Sequence, residues 1–350
     1  MGDFATEYTI LEGFSDPVIL VDGARQVVYA NTAASEFMDI ATIGRDLAIS
    51  FRHPSALEAV DHVLENKVEQ TTEINIAVPI PQIYQLQAKS VELPEGIGLG
   101  AVIVMRDVTF LKSSDQMRRD FIANVSHELR SPISSLIGII ETLTESAQAD
   151  RATQKKFLQI MSEEASRMAR LIDDLLSLSK VEVSEHVVPV ESVSIRSILD
   201  TTIELLRERA LEKGMTIKLV STGSLLDVPG DSDELMEVFQ NLIDNAIKYG
   251  ETESEIKIIV GKVKRIPDLK GPGLSISIEN QGEGIAAEHI PRLTERFYRV
   301  DRGRSRKTGG TGLGLAIVKH IVNRHRGRLS IESFEGKTTT FTVFLPTPSS

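Results

Sequence analysis

The chain has 350 residues, a formal net charge of -11 and no cysteine, with 41% hydrophobic and 25% charged residues. At roughly 100 to 200 residues per domain this length predicts two or three units, and the composition is that of ordinary globular protein. The missing cysteine excludes disulfides, thiol nucleophiles and cysteine-ligated zinc, and the acidic balance argues against a nucleic-acid partner over the whole surface.

Residues 8–107 alternate short apolar runs (PVILVD, QVVYAN, EINIAV, LGAVIVMRD) with turn signals such as Asp22-Gly23, which predicts a small α+β domain. No apolar stretch reaches the roughly 20 residues of a membrane-spanning helix. The start MGDFATEY lacks the basic and apolar runs of a secretory signal, so a cytoplasmic address is expected, with membrane association only if an N-terminal anchor is missing from this chain.

Residues 108–181 hold one Pro and one Gly, and their apolar positions recur at helical spacing, predicting a helical hairpin that turns near residues 149–153. On the first helix Ile122, Val125, Leu129, Pro132, Leu136, Ile139 and Leu143 alternate spacings of three and four, the pattern of a bundle seam. The second helix continues it with Phe157, Met161, Met168, Leu171, Leu175 and Leu178; Glu164 interrupts the series and Ala165 is expected in its place. Two such helices cannot enclose a core, so a four-helix bundle made by a homodimer is expected. His127 falls opposite the seam, where it faces solvent or another domain. Glu128 follows directly, and a carboxylate beside an imidazole can hold its tautomer and accept its proton. Pro132 lacks an amide hydrogen and predicts a bend next to the histidine. A surface His beside an unrelated Glu accounts for this local pattern equally well.

Residues 183–192 read as a linker. Beyond them helices are expected at 194–213, 232–248 and 313–326, and strands at 217–221, 255–264, 274–279, 328–333 and 338–345, an α/β sandwich. On the helix at 232–248, Asn241, Asn245 and Lys248 share a face through spacings of four and three. Carboxamide oxygens suit a hard cation and a Lys suits phosphate, although an exposed polar face is the plainer reading of an isolated helix. Two further elements change that balance. ENQGEGI (279–285) uses Gly282 and Gly284 to let backbone approach a flat ligand. GGTGLGLAIVKH (309–320) is a glycine-rich turn opening into a helix whose first amides can cradle phosphate. It follows RVDRGRSRK (299–307), which has five positive residues against one Asp.

FIANVSHELRSPISSLIG (121–138) resembles the phosphoacceptor box of sensor histidine kinases. The ordered set QNLIDNAIKY, ENQGEGI, RFYRVD and GGTGLGL resembles the N, first glycine, F and second glycine boxes of that family's ATP-binding domain. VILVDGARQVVYANTAASEFM with the later RDVTFLK resembles a PAS domain. The resemblance implies three domains: a PAS sensor (1–107), a dimerisation and phosphotransfer hairpin (108–182) and a GHKL-type ATPase domain (183–350). It implies phosphorylation of His127 by MgATP with Glu128 assisting, then transfer to an Asp of a response-regulator receiver domain. In such proteins Asn245 ligates Mg2+. Asn241, Lys248, Tyr249, Asn280, Gly282, Gly284, Ile285, Arg299, Gly310, Thr311, Gly312, Leu313 and Gly314 border the nucleotide, with 299–308 as a lid. The order of domains is most similar to phosphate-regulon sensor kinases, which makes phosphate starvation the expected stimulus.

Two departures carry consequences. Ser131 stands where the family has Thr, which puts a phosphatase activity toward the regulator in doubt. Asn280 stands where it has Asp to accept the adenine amino group; an amide oxygen can still accept, without charge. A degenerate kinase that scaffolds a regulator, and another enzyme of the same ATPase superfamily, are the rival readings.

Overall fold

A computed structural model describes residues 8–37, 43–76, 81–94, 97–145, 151–221, 227–269, 271–300 and 310–347. The chain divides into two compact units, Met1–Ile122 and Ala123–Ser350. Among the described residues no helix is long and apolar enough to cross a membrane.

The first unit is an antiparallel sheet of β1 (Val18–Val21), β2 (Val27–Ala30), β3 (Gln70–Ile76), β4 (Gln82–Leu93) and β5 (Gly98–Asp107), in the order β2-β1-β5-β4-β3. Three helices, α1 (Thr32–Phe37), α2 (Leu47–Ser50) and α3 (Pro54–Asn66), lie between β2 and β3 in sequence. Alternation puts Tyr84, Leu86 and Ala88 of β4 on one buried face, where they join Ile103 and Met105 of β5 and Val60 and Val63 of α3 in one core. The Asp22-Gly23 turn is held by Asp22, whose Oδ1 accepts from the amides of Ala24 and Gln26 at 2.9 and 2.8 Å. At the end of β5, Asp107 Oδ1 accepts from Thr109 N (2.8 Å), closing an Asx turn that starts the next helix.

That helix, α4 (Thr109–Glu145), runs through Pro132, and α5 (Arg151–Ser184) returns. The expected turn at 149–153 lies partly outside the described residues, α5 being under way at Arg151. Pro132, Leu171 and Leu178 are buried, with Val125, Leu129, Leu136 and Ile139 half-buried. The expectation for Ala165 is corrected: it is exposed and Glu164 is the half-buried residue. Spacings of seven place Ala165 on a different stripe, with Leu158 and Ile172, which are 60% and 46% exposed. Leu176, Ile133, Ile137 and Ile140 extend this outward apolar stripe over both helices. A side chain of this kind contributes roughly 1.5–3 kcal/mol when fully buried, so the stripe is a standing driving force for association. The helix also runs two residues past the expected boundary at 182, and the end of the supposed linker is β6 (Ser192–Val193), paired with β8 (Val228–Pro229).

The remainder is a helix-and-sheet sandwich. The sheet, β7 (Thr216–Ser221), β9 (Glu255–Val263), β10 (Gly273–Gln281), β11 (Arg328–Phe334) and β12 (Thr338–Pro346), has the order β11-β12-β10-β9-β7 and is antiparallel except for the β7–β9 pair. Register places Ile258, Ile278 and Phe341 side by side, and likewise Val260, Ile276 and Val343, forming one buried apolar face. The helices are α6 (Ile195–Glu212), α7 (Ser232–Tyr249) and α8 (Gly314–Arg324). Asp231 caps α7, its Oδ1 accepting from the amides of Asp233 and Glu234 at 3.1 Å.

Candidate active site

Helix α7 decides where the site stands. Its apolar residues, among them Leu235, Phe239, Leu242 and Ile243, are buried. The opposite stripe of Glu237, Asn241, Asn245 and Lys248 therefore lines a cavity of about 820 Å3. Asn280, near the end of β10, and Gly284 and Ile285, from the turn after it, form a second wall. Arg299, the loop residues Gly310, Thr311 and Gly312, and Gly314 at the start of α8 form a third. Tyr249 is 49% exposed at the rim.

Several contacts fix these groups. Asn241 Nδ2 donates to the carbonyl of Glu237 (3.0 Å), while a Cβ added to Gly314 would collide with Asn241 Oδ1, so a larger residue there would displace the Asn241 side chain. Gly312 has φ +78°, and a Cβ there would stand 3.0 Å from Cα of Phe297. Its carbonyl accepts from Phe297 N (2.8 Å), which clamps the F segment to the glycine loop. Phe297 has φ 62°, an uncommon conformation for a bulky residue and a strained one. Lys248 Nζ lies 2.6 Å from Asp244 Oδ2. Asn280 is 4% exposed, and its Nδ2 donates to the carbonyl of Gln281 (3.2 Å). One N–H of the amide is thereby engaged, and its oxygen remains an acceptor that Asn280 can offer a ligand.

Two of the expected residues are not on this cavity. Leu313 is fully buried, and Gly282 is held in a backbone bridge with Gly250. Of the expected lid, Arg299 and Val300 line the cavity, and residues 301–308 lie outside those described.

A second cleft, of about 500 Å3, is lined by Asn124, His127, Glu128 and Ser131 of α4 together with Phe297 and Arg299. His127 and Ser131 are exposed, and Glu128 is half-buried. Arg299 is common to the linings of both cavities.

Sequence reading missed one wall altogether. Arg170, Asp173 and Asp174 of α5 line the larger cavity. Thr311 Oγ1 donates to Asp174 Oδ2 (2.5 Å), and Ser177 Oγ donates to Glu237 Oε1 (2.6 Å). Burial pushes the Asp174 and Glu237 carboxyls above their ordinary range, opposed by the hydrogen bonds from Thr311 and Ser177. Glu237 was within reach of the spacing rule, four residues before Asn241. Asp174 had no signal, because 137 residues separate it from Thr311.

The sign of the Asp174 shift gives a prediction. A carboxyl whose folded pKa is raised stabilises the fold fully below its unfolded pKa and loses that contribution as pH rises through the folded value. Asp174→Asn, which keeps an acceptor for Thr311 without the charge, is expected to raise the thermal midpoint by roughly 2 °C at pH 8. The gain should vanish as pH falls through the carboxylate range. Thermal denaturation at pH 8 and pH 4 checks this, and an equal or lower midpoint at pH 8 would contradict the assignment.

The donor set also fits a hydrated magnesium ion. Mg2+ takes one or two protein oxygens and completes its shell with phosphate and water. The Asn245 carboxamide, half-buried on the cavity wall, can supply one.

A phosphoacceptor-type hairpin joined to a nucleotide-binding sandwich is the architecture of an ATP-dependent protein-histidine kinase. Residues 117–183 match the family described as His Kinase A (phospho-acceptor) domain, and residues 230–349 match the Histidine kinase-, DNA gyrase B-, and HSP90-like ATPase. The phosphate regulon sensor protein PhoR of Pseudomonas aeruginosa is 36% identical over 331 residues, covering 93% of this chain and 71% of the relative. The sensor protein kinase WalK of Staphylococcus epidermidis is 32% identical over 343 residues, covering 97% of this chain and 54% of the relative. The chain belongs to the sensor histidine kinases. The solved structure of histidine kinase ThkA in complex with response regulator protein TrrA shares the fold, with a TM-score of 0.52 over 97% of both chains at 21% identity. Histidine kinase AdeS of Acinetobacter baumannii has a TM-score of 0.50 over 64% of this chain and 98% of its own, at 24% identity.

Proposed function

We propose that this histidine kinase phosphorylates its own His127 from ATP, in the cytoplasm, and passes the phosphoryl group to an Asp of a response-regulator receiver domain. The observation that carries the reading is Arg299, which lines both the His127 cleft and the α7 cavity of one chain. In this reading Asn280 accepts from the adenine amino group, and the glycine loop with the first amides of α8 holds the phosphates. Asn245 holds Mg2+, which when bound neutralises phosphate charge. Arg299 carries positive charge to the transferring group, and exposed His127 supplies the nucleophile with Glu128 as its proton acceptor.

The domain division is 1–107, 108–182 and 183–350, the first being a PAS sensor. Its support is the antiparallel order β2-β1-β5-β4-β3 with helices between β2 and β3. The outward stripe containing Ile137 and Leu176 supports a homodimer, because in a four-helix bundle a second hairpin covers it. The similarity to PhoR favours phosphate starvation as the stimulus. Ser131 keeps a hydroxyl in the His127 cleft and leaves a phosphatase activity toward the regulator chemically open.

Incubation with γ-labelled ATP and Mg2+ followed by a panel of receiver domains tests the reading. An acid-labile, base-stable label should form on the chain and move to a receiver. An unlabelled chain that still binds a receiver would overturn it in favour of a scaffold.

A further inference from the structure

Glu128 does not stand alone in the acceptor cleft. Arg167, on the other helix of the hairpin and 39 residues away in sequence, donates from Nη2 to Glu128 Oε2 at 2.8 Å. The two side chains are only 14% and 26% exposed, unlike the surface ion pairs of the helices, so solvent screens the contact less. Both His127 and Glu128 line the cleft, whereas Arg167 reaches the carboxylate from α5. A carboxylate has two oxygens and can serve two donors. With Oε2 tied to the planar, permanently charged guanidinium, the second oxygen is the one left for an imidazole N–H.

We infer that Arg167 is a positioning residue for phosphoryl transfer, orienting Glu128 so that Oε1 receives the imidazole proton of His127. The inference rests on the reading of His127 as phosphoryl acceptor and Glu128 as its proton acceptor. In the step, one imidazole nitrogen gives its lone pair to the γ-phosphorus. The bond from that phosphorus to the β–γ bridging oxygen breaks, and its electron pair leaves with ADP. The proton on the other ring nitrogen passes to Glu128, so the phosphorylated ring ends neutral and the carboxyl protonated. A freely rotating Glu128 would offer its oxygen in the required place for only part of the time, and transfer would slow without any change in nucleotide binding.

The test is a double-mutant cycle on the full chain with MgATP, reading kcat and KM for ATP from initial labelling rates. Arg167→Met should lower kcat roughly tenfold to a hundredfold and leave KM unchanged. Arg167→Lys, which keeps the charge and loses the planar fork, should recover part of the loss. In a Glu128→Gln background the Arg167→Met change should have no further effect on kcat, because the group it acts through is gone. Equal losses in both backgrounds, or a rise in KM that accounts for the loss, would overturn the inference and leave Arg167 a structural residue. If Arg167→Met does not fold, the same cycle with Arg167→Lys decides the matter. Labelling that survives His127→Gln would count against the acceptor reading itself, and the cycle separates that failure from this one.

Discussion

His127→Gln is expected to reduce the acid-labile label to background while ATP binds as it does to the unaltered chain. Glutamine keeps the size and polarity of the side chain, but its amide nitrogen has no lone pair available for attack on phosphorus. Binding should persist because His127 belongs to the cleft on α4 and does not line the α7 cavity. Stability should persist too, since the side chain is exposed and surface changes of this kind stay within about 0.5 kcal/mol. Labelling with γ-labelled ATP and titration with a fluorescent ATP analogue measure the two quantities separately. A label of unchanged size would move the acceptor role to another residue. Lost affinity with lost label would mean that His127 serves the nucleotide site.

The parts of this protein legible in the sequence are those whose causes are local. The stripe Asn241, Asn245, Lys248 follows from helical period once the buried face of α7 is known. Gly312 stands where a positive φ and a close approach to the Phe297 backbone favour glycine, and Gly314 where the chain approaches Asn241 closely. Strand ends in the sandwich fell within a residue or two of expectation because their apolar alternation is strict. What escaped is long-range or small. Asp174 meets Thr311, and Arg167 meets Glu128, only because α5 folds back along α4 and against the nucleotide loop. The β6–β8 pair has two residues on each side, too few for a period to register. Ala165 was misplaced because the hairpin carries two apolar stripes, one buried or half-buried and one exposed, and a single heptad count merges them.

Asn245→Ala is expected to lower autophosphorylation by roughly a hundredfold or more. Alanine is the best helix former, and the neighbours that anchor this turn of α7, Ile243, Ala246 and Ile247, are buried on the other face, so the helix should remain intact. The change removes one carboxamide from the cavity wall, and with it the protein oxygen proposed for Mg2+. A metal that takes only one or two protein ligands loses a large share of its hold when one is deleted. The loss should therefore be confined to magnesium-dependent behaviour. Affinity for ATP should fall in the presence of Mg2+ and change little in EDTA, where Asn245 has no ion to bind. Titration of a fluorescent ATP analogue under both conditions, alongside labelling with γ-labelled ATP, distinguishes this from a general defect of the pocket. An equal fall with and without the metal would make Asn245 a direct nucleotide contact, and undiminished Mg2+-dependent labelling would remove it from the metal site altogether.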